Sequence, residues 1–274
     1  MKDIRLLADH PPGASRAALP VPGLPLGHVP GVMASTQPAP LPAELAAALM
    51  ASPGPAPKRE RTRRQLVEAA LRVFSARGVA TSTVGDIAAA AGVAGATLYN
   101  HFASKDELVQ AVALWLAQSL CACITDSSAG VAEGAERMAI GNRRYLWLAE
   151  QSPAWAMLLL DVAALSPALL RVTGDYVLAD LRLGLRQKAF RVSSEAAALD
   201  LVGGTIGQAM RMIAAGIAPP GHAAAVTTLV LAGLGLPWEQ ARALVRRPLP
   251  PLRPPLPPSP PAASRRRARG GRAA

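Results

Sequence analysis

The chain has 274 residues, 51% of them hydrophobic and 17% charged, with a formal net charge of +11 and a pI near 10.9. Only 4% are aromatic, so a core must be built mainly from Ala, Leu and Val. Two Cys exclude a disulfide framework and a four-thiolate zinc site, and four His exclude a His-rich metal array. The first ten residues carry no apolar run of signal-peptide length. The apolar stretch 223–236 falls short of the roughly 20 residues that a bilayer requires. We expect a cytoplasmic protein without a membrane span and without a cofactor.

Proline and charge divide the chain. Twelve of the 26 Pro lie in residues 1–57 and nine in 248–261, leaving five between. Residues 1–57 and 248–274 are therefore expected to be disordered tails, which bury too little apolar surface to offset ordering entropy. Met50 opens a short polar lead into the first helix, and we expect translation to begin there. Residues 58–110 carry a net +3 and residues 246–274 a net +8, with Arg265-Arg266-Arg267 in the last stretch. Such a run binds polyanions without sequence preference or is a solvated end.

The body between the tails reads as about ten helices with no period-2 strand pattern, an all-α bundle. Leu66, Ala69, Ala70, Val73 and Phe74 form the apolar stripe of the first helix, which Gly78 stops. Arg61, Arg63, Arg64 and Arg72 fall on its other faces. Thr83-Val-Gly-Asp86 can cap a second, short helix that ends at Gly92. A third follows over residues 96–102, and Ser104-Lys-Asp-Glu107 has the spacing of a full capping box opening a long helix. Two short helices across a Gly-containing turn describe a helix-turn-helix. Leu98 and Phe102, four apart, face inward, while Thr97, Tyr99, Asn100 and His101 remain outside, as a helix laid in a major groove requires.

Beyond it, Ser152-Pro153, Ser166-Pro167, Ser193-Ser194-Glu195 and Pro237-Trp238-Glu239 open further helices. Cys121 and Cys123, two apart, point to different faces of their helix. They read as core or surface residues, with a redox sensor as the alternative. Asp161 reads as a capping or solvent-facing carboxylate. Trp115, Met138, Trp147, Trp155, Met157 and Tyr176 read singly as core and together as a candidate apolar pocket. Gly203, Gly204 and Gly207 allow close helix approach, and residues 222–235 are too apolar to lie exposed. This pair, about 193–235, suits a four-helix homodimer interface. No catalytic constellation and no nucleotide-binding glycine loop is present.

The stretch Arg64 to Leu108 resembles the tetracycline-repressor (TetR) family of bacterial transcriptional regulators. The resemblance lies in Gln65-Leu66-Val67-Glu68-Ala69-Ala70, Thr83-Val84-Gly85-Asp86-Ile87-Ala88, Ala91-Gly92-Val93, Thr97-Leu98-Tyr99-Asn100-His101-Phe102 and Ser104-Lys105-Asp106-Glu107-Leu108. It implies a helix-turn-helix DNA-binding domain over residues 58–104. It further implies a helical domain over 105–247 that binds a small, apolar effector and forms a homodimer. The double-stranded operator would be a palindrome, and the long helix from Ser104 would carry the effector signal. By the same resemblance Thr83, Thr97, Tyr99, His101 and Lys105 would hold phosphates, with Tyr99 and Lys105 facing the same side. Thr97, Asn100 and the methyl of Ala96 remain to read bases, with Gly95, which could take over the cap, in the same DNA-binding segment. The chain departs from the family at Ala94, where Ser usually caps the reading helix, at Ala96, where Gly is common, and at Gly85, where a basic residue is frequent. These departures thin the base-reading surface. They motivate an alternative: a helical ligand-binding or scaffold protein that has lost sequence-specific DNA binding.

Overall fold

The structure, a computed structural model, describes residues 40–50 and 57–252. The described residues form eleven helices: α1 Ala43–Met50, α2 Lys58–Arg77, α3 Val84–Ala91, α4 Gly95–Tyr99, α5 Lys105–Ser127, α6 Gly134–Gln151, α7 Pro153–Leu165, α8 Pro167–Arg186, α9 Glu195–Ala214, α10 His222–Gly233 and α11 Trp238–Arg246. No strand occurs among them.

Most starts follow the sequence signals. Ser104, Ser166 and Ser194 each accept a hydrogen bond from the backbone three residues on, satisfying a donor the helix leaves orphaned. Two details differ. Glu107 returns its carboxylate to the Ala103 N–H at 2.7 Å, so the box at the α5 start closes one residue early. Ser152 does not cap α7. Its hydroxyl instead donates to the Pro40 carbonyl at 2.7 Å.

That contact belongs to a larger departure. The tail expected to run through residue 57 contains α1, whose Leu45 and Leu49 are buried and which packs on α5. Its Leu and Ala at helical spacing form an apolar face that the Pro-rich surroundings mask in a composition count. A start at Met50 would omit this helix. At the other end, the stretch after α11 is strapped to α6. Arg143 donates to the Arg247 carbonyl at 2.7 Å, Arg144 donates to the Pro250 carbonyl, and Leu252 is buried. The remainder of both expected tails lies outside the described residues.

α5 joins the N-terminal helices to the C-terminal ones. Leu108, Val112, Leu116 and Leu120 on its inner face are fully buried, and it touches α1, α2, α6, α7 and α8. It is also long and apolar enough to cross a membrane by length and composition, and over half of that window is buried within the bundle. The expectation of no such segment, drawn from 223–236, overlooks the uncharged run 108–125 because Gln and Ser interrupt it. α7 and α8 meet at 108° across Ser166, so α8 turns back over the bundle. α6 and α8 cross at two glycines, Gly134 and Gly184, where backbones come within reach of a missing Cβ. The Gln187 side chain fastens this crossing, accepting from Gly134 N–H and donating to the Ala132 carbonyl, both at 2.8 Å. Arg137 adds an ion pair to Asp180 at 2.8 Å.

Candidate functional site

The N-terminal head is built on α2. Leu66, Ala70 and Phe74 from α2, Ile87 from α3, Leu98 and Phe102 around α4, and Leu108 from α5 are all buried to 1% exposure or less. α3 begins in a complete capping box. The Thr83 hydroxyl accepts from Asp86 N–H at 3.1 Å and donates to the Asp86 carboxylate at 2.7 Å, and Thr83 N–H donates to the same carboxylate at 2.9 Å. The hydroxyl and N–H of Thr83, with Arg77 3.0 Å away, hold the Asp86 carboxyl below its usual pKa.

α3 ends at Gly92, whose φ of 67° places it in the left-handed region. There Val93 N–H bonds to the Ala88 carbonyl and Gly92 N–H to that of Ala89, a Schellman closure. α2 caps the remaining carbonyls, with Gln65 donating to Ala91 at 2.6 Å and Arg72 to Ala90 at 3.4 Å. The turn angle between α3 and α4 is therefore fixed from both sides.

α4 is a five-residue helix, shorter than the sequence expectation of 96–102, because Asn100 already acts as its C-cap. Ala94 supplies no side-chain cap. Leu98 and Phe102 anchor the segment. Tyr99 is 58% exposed, Gly95, Ala96 and Asn100 are exposed, and Thr97 and His101 are half-buried.

A second feature lies in the C-terminal domain. A cavity of about 480 Å³ opens between α5, α6, α7, α8 and α9. Its walls are Leu, Ile, Ala, Val, Met and Gly, with Asn142, Tyr145, Thr173 and Asp200 as the polar exceptions.

Comparison with known proteins places both features in a family. Residues 66–112 match the bacterial regulatory proteins of the tetR family, and residues 133–247 match the tetracyclin repressor-like C-terminal domain, together more than half of the chain. The chain belongs to the TetR family. It is 53% identical over 53 residues to the HTH-type transcriptional regulator TtgR of Pseudomonas putida, a match covering 19% of this chain and 25% of that one. It is 49% identical over 47 residues to the transcriptional repressor KstR2 of Mycobacterium tuberculosis, covering 17% and 24%. The match thus spans about a quarter of the length of these relatives. Similarity to a solved structure extends further. RolR in complex with resorcinol is 25% identical with a TM-score of 0.63, over 71% of this chain and 98% of that one. A TetR-family regulator from Pectobacterium atrosepticum, also 25% identical, has a TM-score of 0.53 over 70% and 97%.

The resemblance to TetR regulators gives Lys105 a phosphate, and here the structure differs. The Lys105 ammonium is turned onto the α2–α3 loop, donating to the Val79 and Ser82 carbonyls at 2.6 Å each. The Lys105 ammonium is thus engaged within the head, while Tyr99 is 58% exposed. The loop leaves two carbonyls unpaired beside the start of α5, and the cation satisfies both. We expect Lys105→Ala to lower unfolding free energy by about 2 kcal/mol, because charge-assisted bonds to half-buried carbonyls are lost. Denaturant titration measures this, and a loss below about 0.5 kcal/mol would show the clamp to be idle.

None of Trp115, Met138, Trp147, Trp155, Met157 and Tyr176 lines the 480 Å³ cavity. Trp115 lies two residues from the lining Ala117 and so on another side of α5. Met138 and Trp155 are buried in the core, Trp147 lies beneath the Arg144 guanidinium, and Tyr176 borders a separate shallow depression. A cavity forms where side chains are small. Gly174, Gly203, Gly204 and Gly207 line it, and the space where a Cβ would stand at Gly203 or Gly204 is open to 4 Å. Within one subunit these glycines make room rather than close approach.

Cys121 and Cys123 are buried, and burial pushes each thiol up to about 11, so both are protonated at neutral pH. This disfavours the redox-sensor alternative. Asp161 pairs with Arg211 at 3.6 Å near the protein surface.

One feature of the head lies outside the expected site residues. The Arg63 guanidinium stacks over the Phe102 ring at 4.6 Å, and Arg59 lies one turn earlier on the same face of α2. The basic run Lys58 to Arg64 thus reaches the foot of α4. Its charge is visible in the sequence, but its placement against Phe102 depends on the tertiary fold.

Proposed function

We propose that this TetR-family chain is a cytoplasmic transcriptional regulator, working as a repressor. In this reading a homodimer sets two helix-turn-helix heads on a palindromic operator, and a small effector in the C-terminal domain modulates binding. The observation that carries the DNA-binding half is the division of the α4 segment. Leu98 and Phe102 are 0% and 1% exposed, whereas Tyr99 is 58% exposed beside Asn100. Such a helix is held rigidly by two apolar anchors and offers its polar side to a groove. Thr97, Tyr99 and His101 serve phosphates, and Gly95, Ala96, Thr97 and Asn100 face base edges. Thr83 contributes by holding the start of α3, and Lys105 by holding the loop before it.

The dimer reading is supported by α9 and α10. They pack together so closely that a Cβ at Gly233 would stand 2.9 Å from Leu201, and both expose apolar residues, Leu201 and Leu229. The effector reading is supported by the cavity and by RolR, a similar structure that holds the small aromatic diol resorcinol.

Gel retardation of the chain's own upstream intergenic DNA, with non-specific competitor present, tests the proposal. Failure to retard it at physiological salt would favour the ligand-binding or scaffold alternative, which the uncapped Ala94 and the bare Gly85 support. On DNA that is bound, we expect Tyr99→Phe to weaken affinity similarly on all sequences. The pair Arg59→Ala with Arg63→Ala should shallow the slope of log K against log salt by about two, since each phosphate contact contributes roughly 0.9. An unchanged slope would remove α2 from the interface.

A further inference from the structure

The chemistry of the cavity walls can be read one polar group at a time. Among the described residues no Lys, Arg or His side chain lines it, and the one carboxylate, Asp200, sits exposed on α9. The Thr173 hydroxyl is already committed to its own helix, 3.1 Å from the Leu169 carbonyl and 3.2 Å from that of Leu170. The Tyr145 hydroxyl lies 3.1 Å from the Cys121 sulfur. Asn142 is different. It is 4% exposed, it lines the cavity, and its side-chain Nδ2 has no hydrogen-bond partner among the described residues. A buried donor left unpaired is costly, and proteins retain one where something else satisfies it.

We propose that the effector is a neutral, largely apolar molecule carrying an acceptor oxygen, of the ketone, aldehyde or ester class, and that Asn142 Nδ2 donates to that oxygen. This deepens, and rests on, the reading of the cavity as the effector site. The apolar body fills the space between Leu159, Leu160 and Met210, and the oxygen points toward α6. Among the described residues that line the cavity an anionic ligand finds no cation to neutralise it, and the desolvation that lifts the Tyr145 phenol well above its ordinary pKa penalises any other buried anion as well.

Isothermal titration of the full chain with three probes of one shape tests this: 2-acetylnaphthalene, 2-ethylnaphthalene and 2-naphthoate. The ketone should bind about tenfold more tightly than the hydrocarbon, and the carboxylate most weakly. In Asn142→Leu the ketone's advantage over the hydrocarbon should vanish while both still bind. Equal binding of ketone and hydrocarbon to the native chain overturns the assignment without the variant. So does a preference that survives in Asn142→Leu. If the native chain binds none of the three, the effector-site reading itself falls along with the anchor. If hydrocarbon and ketone bind equally, the cavity stands and only the donor role is lost.

Discussion

An alanine at Gly134 should destabilise the protein by about 3 kcal/mol, at the upper end of overpacking changes. Its Cβ would stand 2.4 Å from the Gly184 backbone nitrogen and 2.9 Å from the Asp180 carbonyl oxygen. Neither is the end of a flexible side chain, so the α6–α8 crossing must open. It cannot open freely, because Gly184 is itself pressed against the Phe190 ring, and Gln187 ties the same turn to Ala132. Gly134 is the first residue of α6, so alanine gains less than the about 1 kcal/mol of an interior position, and the clash sets the sign. For a domain of this size the melting temperature should fall by roughly 6–12 °C. A loss under about 1 kcal/mol by denaturant titration would mean that the two helices separate more easily than their contacts imply.

The substitution Gly203→Leu should do the opposite to stability and weaken small-molecule binding. The Cβ position is empty to 4 Å, and Gly203 forms part of the α9 wall of the cavity. Removing a helix-interior glycine contributes about 1 kcal/mol, and burying part of the new side chain adds to it. The melting temperature should rise by a few degrees. Narrowed along α9 by the introduced isobutyl group, the cavity should hold 2-acetylnaphthalene less tightly, and the thermal stabilisation that ligand confers on the native chain should shrink. A variant that still shows the full ligand shift would place the binding site elsewhere.

The head was legible in the sequence because its signals are local. Thr83 and Asp86 close their capping box within four residues, Gly92 adopts the left-handed turn that its position demands, and Leu98 and Phe102 fall inward as their spacing requires. Lys105 was not legible. A lysine at a helix start beside polar neighbours resembles an anion site, and only the path of the distant loop brings the Val79 and Ser82 carbonyls to it. The cavity escaped for a different reason. Aromatic and Met residues draw attention as pocket formers, yet the large side chains of the C-terminal domain fill space, and the void lies where Gly and Ala leave it. The glycines at 203, 204 and 207 were the usable signal, and their reading as close-contact residues hid it. α1 was lost to averaging, because eight helical residues within a Pro-rich stretch barely alter its composition.

α5 runs unbroken from the Lys105 clamp to Ala117 in the cavity wall, twelve residues or about 18 Å. In the proposed regulator it would serve as a lever with its load at one end and its handle at the other. A tilt of roughly 10° applied at Ala117 would carry the clamped loop about 3 Å, given that length. Because that loop leads directly into the Thr83 cap, the displacement would be delivered to α3 and α4 as rigid motion rather than dissipated in a hinge.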